Sequence, residues 1–130
     1  MPMTPTRHST SPAMITVAIF AFFTVLAGLA AAETADLCGL AQTAFSDCTA
    51  YVTGDEPALS SLCCRGLGDI RDLTPTISQR RAVCACVLDE MLAAGNGKFD
   101  SGRAGGLAAA CNVPIGFIPT SAEFNCYGVN

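Results

Sequence analysis

Eight cysteines, and the distances between them, constrain the fold of this chain more than any other feature of its sequence. They stand at positions 38, 48, 63, 64, 84, 86, 111 and 126, separated by 9, 14, 0, 19, 1, 24 and 14 residues. An even cysteine count in a short chain that begins with a secretory signal predicts a disulfide framework. A zinc site would need paired cysteine or cysteine–histidine knuckles, and the sequence contains none. We therefore predict four disulfides and no metal.

The N-terminal segment has the composition of a secretory signal peptide. An uncharged apolar run extends from Met14 to Ala32 and closes with three alanines, which suit cleavage before Glu33. The run is 19 residues long, so an uncleaved membrane anchor is the alternative. We predict a signal peptide over residues 1–32, one domain over residues 33–130, and a secreted protein.

The charge and residue types of the predicted domain exclude several function classes. It carries six basic and eleven acidic residues, a formal charge of −5. Nucleic acids and anionic membranes attract clustered Lys and Arg, and Arg80-Arg81 is the only basic run, so nucleic-acid binding is not expected. The single histidine, His8, belongs to the signal. In each of the acidic pairs Asp55-Glu56 and Asp89-Glu90 the two residues are neighbours in sequence, and such neighbours do not face each other on a helix. We predict no catalytic residues, no cofactor and no enzymatic activity.

Apolar residues recur at helical spacing through most of the domain. From Leu37 to Cys48 they follow the i, i+3, i+4, i+7 pattern of an amphipathic helix, which we expect to end near Gly54. Asp55-Glu56-Pro57 then predicts the cap and first turn of a second helix, which carries Leu59, Leu62 and Cys63.

Two further helices and a non-helical tail complete the predicted domain. Thr76 or Ser78 can cap a third helix that ends at Gly95-Asn96-Gly97, and Asp100 or Ser101 can cap a short fourth helix. Two prolines and a glycine after Val113 exclude a helix there, so we expect an extended apolar tail. The interior is rich in alanine, which permits either tight helix contact or an unfilled centre.

The cysteine order resembles the eight-cysteine domain of plant non-specific lipid-transfer proteins, whose superfamily includes 2S albumins and α-amylase/trypsin inhibitors. The first four gaps are similar to those of type 1 members, while the gaps of 24 and 14 are slightly longer. Sequence around the cysteines agrees at Cys48-Thr49-Ala50-Tyr51-Val52, Cys63-Cys64-Arg65-Gly66-Leu67 and Cys111-Asn112-Val113. The resemblance implies an all-α, disulfide-stapled four-helix domain with an extended C-terminal tail enclosing a hydrophobic cavity.

The resemblance also implies that this cavity holds acyl chains. The apolar residues expected to line it are Leu40, Phe45, Leu62, Leu67, Ile70, Leu73, Ile77, Val83, Val87, Leu88, Met91, Leu107, Ile115, Phe117 and Ile118. For each of them ordinary core packing is the alternative.

Two short signatures of type 1 members bear on the lipid head group. The first, Thr/Ser-x-x-Asp-Arg/Lys, falls on Thr76 to Arg80, with Gln79 in place of the acidic residue. The second, Pro-Tyr-x-Ile-Ser, falls near Gly116 to Thr120, where Phe117 replaces the tyrosine. The resemblance implies that Arg80 binds the head group, since its forked cation suits carboxylate or phosphate. A salt bridge to a neighbouring carboxylate is the alternative for Arg80.

Spacing alone permits 105 disulfide pairings. A type 1 resemblance implies Cys38–Cys86, Cys48–Cys63, Cys64–Cys111 and Cys84–Cys126, whereas a type 2 resemblance exchanges the partners of Cys84 and Cys86. Ala85, between these two cysteines, is too small to decide, and the spacing favours type 1.

The function implied is that of a monomeric carrier in the extracellular space (apoplast or cell wall). Its partners would be lipids with long acyl chains, such as fatty acids, phospholipids, and cutin or wax monomers, with transient membrane contact. The alternative is a hydrolase (α-amylase/trypsin) inhibitor on the same cysteine scaffold, for which Arg71–Pro75 or Gly95–Lys98 would supply the exposed loop.

Overall fold

A computed structural model describes residues 35–130, and this part of the chain is all-α, as predicted. Its elements are α1 (residues 35–52), α2 (Ser61–Leu73), α3 (Ile77–Ala94), α4 (Ser101–Cys111) and a 3₁₀ helix (Cys126–Gly128). Residues 35–130 contain no β-strand, and none of their helices has the length and apolarity that a bilayer span requires. The predicted signal peptide and the first two residues of the predicted domain lie outside the described residues.

The connection between α1 and α2 differs from the prediction. Helix α1 ends before Gly54, which takes a φ of +88° as expected for a glycine stop. Asp55-Glu56-Pro57, however, does not begin α2, because Ser60 is the N-cap and its hydroxyl accepts from the Cys63 amide at 3.1 Å.

Contacts from α4 and α1 explain why this acidic segment is a loop. Nη1 of Arg103 donates to the carbonyl oxygens of Tyr51, at 3.0 Å, and Glu56, at 2.7 Å. Its guanidinium carbon lies 4.7 Å from the centre of the Tyr51 ring, a cation–π contact. The Glu56 amide also donates to Ala50 O at 2.9 Å. These bonds hold the segment against the end of α1, so the next helix starts only after it.

The other helix termini fall where the sequence places them. Thr76 caps α3 in a capping box with Gln79, whose side-chain oxygen accepts from the Thr76 amide at 3.1 Å. Asp100 caps α4 by accepting from the Arg103 amide at 2.9 Å. Helix α3 ends at Ala94, and Gly95 is its C-cap. The three glycines within α4 do not interrupt that helix.

Four disulfides tie every element to another. They join α1 to α3 (Cys38–Cys86), α1 to α2 (Cys48–Cys63), α2 to α4 (Cys64–Cys111) and α3 to the tail (Cys84–Cys126). These pairs are the ones that a type 1 resemblance implies, and no cysteine is left free. Each bridge is worth roughly 2–4 kcal/mol in a domain of this size.

A glycine permits the close approach of α1 and α2. A Cβ on Gly66 would overlap the carbonyl oxygen of Ala44, so α1 and α2 approach each other more closely than a side chain at this position allows. Gln42 adds a hydrogen bond between α1 and α3, from its Nε2 to the carbonyl oxygen of Cys86 at 3.1 Å. The tail, residues 112–130, covers the side of the bundle at α3 and α4.

Candidate functional site

Most of the residues predicted to line a cavity are buried. Those with no exposed surface are the helix residues Phe45, Leu67, Ile70, Val83, Val87, Met91 and Leu107. The tail residues Ile115, Phe117 and Ile118 are also buried, at 5–7% exposure. Sequence periodicity therefore identifies the inward faces of the helices, although burial alone does not distinguish a cavity wall from a packed core.

Three of the predicted wall residues lie at the surface instead. Leu40 is 55%, Leu62 51% and Ile77 47% exposed. Leu62 precedes Cys63, which is buried, by one residue, or 100° around α2, and this rotation puts it beside the buried face rather than on it. Ile77 is the first residue of α3, before the buried face of that helix begins. The prediction that Leu40, Leu62 and Ile77 line an interior wall therefore disagrees with the structure.

Two more predicted residues, Leu73 and Leu88, are half-buried. Leu73 faces a groove between α1 and α2, as does Leu40. Leu88 lines a surface cavity of about 470 Å³ between α3 and the tail, beside Phe124 and Tyr127.

Three cavities border the tail, and all three are lined by Ile115 and Gly116. Their volumes are about 510, 230 and 130 Å³. The largest and the smallest also share Ala108, and the smallest extends to Ile118. In these two cavities the side chains of α4 are small, so the tail leaves space beneath it. The cavity of about 230 Å³ lies instead between the tail, the end of α2 and the start of α3. We call all three spaces the tail cavities.

The tail cavity of about 230 Å³ carries the polar groups of the site, and we call it the Arg80 cavity. Its lining residues are Arg71, Thr74, Arg80, Pro114, Ile115, Gly116, Phe117 and Asn130. The structure thus brings Arg80 and Phe117, predicted from two separate signatures, into one cavity. Phe117 offers it an aromatic ring without a hydroxyl.

The position of Arg80 follows from the periodicity of α3. Arg80 lies three, four and seven residues before Val83, Cys84 and Val87, which are fully buried, so it shares their face of the helix. The half-buried Arg80 side chain therefore lines the cavity instead of extending fully into bulk solvent.

Backbone carbonyl groups hold the Arg80 guanidinium. Its Nε donates to Thr74 O at 3.1 Å, and its two terminal nitrogens donate to Pro75 O at 3.4 Å and Asn130 O at 3.5 Å. Among residues 35–130 the only ion pair between side chains joins Arg71 to Asp72, so Arg80 is not paired with an Asp or Glu side chain there. Three of its five N–H groups are used, which leaves two for a ligand.

The chain matches a family model described as the protease inhibitor/seed storage/LTP family over residues 29–126. It is also 32% identical over 93 residues to non-specific lipid-transfer protein A of Ricinus communis, covering 72% of this chain and 98% of that protein. The chain belongs to this family, among the plant non-specific lipid-transfer proteins. A further member, non-specific lipid-transfer protein 2 of Arabidopsis thaliana, is 34% identical over 89 residues, covering 68% of this chain and 73% of the relative.

A solved structure of another lipid-transfer protein has a similar fold. Non-specific lipid transfer protein 1 from barley, in complex with a lauroyl lysophosphatidylcholine, superimposes with a TM-score of 0.61 at 26% identity. The superposition covers 72% of this chain and 98% of the barley chain. The predicted family and the predicted four-helix, four-disulfide fold are both confirmed.

Sequence reasoning did not find a second, larger space in this lipid-transfer protein, the open groove between α1 and α2. It measures about 960 Å³, and its apolar lining includes Leu40, Ala44 and Leu73. The carboxylates of Asp36, Asp69 and Asp72 also line it. The groove depends on how α1 and α2 pack against each other, so no local pattern in the sequence signals it.

Charge, and the enclosure of two of the tail cavities, favour this region over the groove as an acyl-chain site. Ligand sites for apolar molecules bury most of the ligand surface, and the tail cavities of about 230 and 130 Å³ are more enclosed than the groove, whereas the cavity of about 510 Å³ is as open as the groove. Three carboxylates would also repel the anionic end of a fatty acid, whereas the Arg80 cavity presents a cation and is lined by no Asp or Glu side chain. Residues 35–130 contain no cluster of His, Cys, Asp and Glu arranged to hold a metal ion.

Proposed function

We propose that this protein is a secreted, non-enzymatic carrier that binds the acyl chain of a lipid in the tail cavities and contacts the head group through Arg80. The observation that carries the proposal is that two cavities share Ile115 and Gly116 as lining residues, one of them also lined by Ile118 and the other by Arg80. Such an arrangement offers apolar contact along a chain and a cation at its polar end.

The driving force for binding is the removal of methylene groups from water. Each buried methylene contributes roughly 0.8 kcal/mol, so a long chain gains a gross ~10 kcal/mol or more. Lost ligand freedom, and the membrane contacts that the lipid gives up, offset most of this gain. The remainder suits reversible uptake and release, and because apolar contact is non-directional, we expect chains of different length to bind.

The barley protein supports this proposal because its ligand combines the two features that the cavities can accept. A lysophosphatidylcholine has one acyl chain and a phosphate-containing head group. In the present chain we propose that the acyl chain contacts Ile115, Phe117 and Ile118 on the tail and Ala104 and Ala108 on α4. The fully buried helix residues would reach the ligand where these cavities widen on binding.

The proposal extends to the processing and state of the protein. Residues 1–32 would act as a cleaved signal peptide, and the mature domain would work in the apoplast or cell wall as a monomer. Contact with membranes would be transient, because the acidic domain has no basic cluster to hold it on an anionic surface.

The inhibitor function is not favoured, although the family includes protease inhibitors. One of its two candidate loops, Arg71–Pro75, begins within α2, and its Thr74 is 2% exposed with its hydroxyl bonded to Ile70 O at 2.8 Å. An inhibitory loop must be free to enter an active site. Gly95–Lys98 is an exposed turn but lies outside the tail cavities.

Displacement of a fluorescent fatty acid from the oxidised domain, residues 33–130, tests the proposal. We expect saturable binding at micromolar protein and displacement by fatty acids and lysophospholipids. The same preparation, assayed against trypsin and α-amylase, should inhibit neither. Absence of saturable binding by the folded, fully oxidised domain would contradict the carrier function.

A further inference from the structure

The Arg80 cavity contains a second guanidinium that neither lipid-transfer signature includes. Arg71, in the last turn of α2, lines this cavity together with Arg80. Its Nε lies 3.2 Å from Oδ1 of Asp72, and its side chain is 44% exposed. An ion pair this exposed contributes little free energy and leaves the side chain able to turn toward a ligand.

The number of N–H donors exceeds what a carboxylate can use. Arg80 has two N–H groups left after its three bonds to backbone carbonyls, and Arg71 has four left after its bond to Asp72. A carboxylate has two oxygens and one charge. A phosphate monoester has three terminal oxygens and close to two negative charges near neutral pH, and it accepts paired bonds from guanidinium groups.

The rest of the cavity lining agrees with a dianionic ligand. No Asp or Glu side chain lines it, and the Thr74 hydroxyl, which also lies there, is bonded to Ile70 O. Phe117 supplies no hydroxyl, so the two guanidinium groups are the principal charged donors at this end of the site. Two cations in one cavity attract a doubly charged group more strongly than a singly charged one.

We propose that Arg71 and Arg80 together make this protein select lipids with a phosphate monoester head group, such as lysophosphatidic acid, over fatty acids of equal chain length. This inference rests on the proposed function. It adds a class of head group and a residue, Arg71, that determines the preference.

The test compares the affinities of lysophosphatidic acid, a fatty acid and a fatty alcohol with one chain length in the displacement assay. For the unmodified domain near neutral pH we expect lysophosphatidic acid to bind about fivefold to tenfold more tightly than the fatty acid. Arg71→Gln should bring this ratio close to one and leave the fatty alcohol unchanged. Arg65→Gln is the matched control, because Arg65 is exposed on the same helix, lines none of the tail cavities and carries the same charge; it should keep the ratio.

Two further ligands distinguish a lipid head group from free phosphate. Inorganic phosphate and glycerol 3-phosphate, at millimolar concentration, should not displace the probe, because they lack a chain. Displacement by either, a ratio near one in the unmodified domain, or an unchanged ratio in Arg71→Gln would each overturn the selectivity. If the unmodified domain bound neither the charged lipids nor the fatty alcohol, the result would instead contradict the carrier function on which the selectivity rests.

Discussion

The Arg80→Ala variant separates binding of the head group from binding of the chain. In the structure Arg80 has two N–H groups free for a ligand in a cavity that opens to solvent. A hydrogen bond to a charged group is worth about 1.5–3 kcal/mol, and solvent at this opening reduces it toward the low end. Since about 1.4 kcal/mol is tenfold in affinity, we expect an ionised fatty acid to bind roughly tenfold more weakly. A fatty alcohol should change by less than about threefold.

The same variant should also lower stability, because Arg80 joins the start of α3 to the carbonyl oxygens of Thr74, Pro75 and Asn130. We expect a loss of about 1 kcal/mol in the free energy of unfolding, measured by urea denaturation of the oxidised domain. Arg81→Ala is the matched control: Arg81 donates to Val129 O at 2.8 Å but does not line the cavity. It should lower stability by a similar amount without changing the ratio of acid to alcohol affinity. Equal weakening of both ligands in Arg80→Ala would refute the head-group role of Arg80.

Three other substitutions test the site and the packing around it. Ala108→Phe should fill the tail cavities and weaken chain binding by more than about tenfold in the displacement assay, while Ala110→Phe, on the exposed side of α4, should have little effect. Gly66→Ala should cost about 1–3 kcal/mol in urea denaturation because its Cβ would overlap the backbone of α1, whereas Gly68→Ala, with open space around it, should stabilise α2 by about 0.5–1 kcal/mol. Phe117→Tyr should restore a hydroxyl in the Arg80 cavity and strengthen fatty-acid binding by up to about tenfold, and an unchanged affinity would mean that the ring does not face the head group.

Local sequence signals predicted the helices and most of their termini. Thr76 and Asp100 cap helices because a short polar side chain before an apolar run satisfies free amide groups wherever the helix lies. Asp55 has the same local chemistry but does not cap α2. Arg103, which lies 47 residues after Glu56 in the sequence, binds the Glu56 carbonyl oxygen and holds the acidic segment as a loop. The difference is tertiary, so a local pattern could not have revealed it.

The candidate site was predictable in its residue types but not in its partners. The periodicity of α3 places Arg80 on the inward face, yet whether it meets a carboxylate or backbone carbonyls depends on how the connection from α2 to α3 turns. The same holds for Arg71, whose place in the cavity depends on the path of the tail over the end of α2. The α1–α2 groove depends on how these two helices pack against each other, which sequence alone does not indicate.

Photo-crosslinking of a fatty acid with a diazirine in its chain tests the central claim most directly, because it reports where the chain lies. After irradiation of the saturated, oxidised domain, peptide mass mapping should find the label on α4 and the tail, at Ala104, Ala108 and Ile115–Ile118. Excess unlabelled fatty acid should prevent the labelling. Label found instead at Leu40, Ala44 and Leu73 would place the chain in the α1–α2 groove and contradict the assignment of the tail cavities as the lipid site.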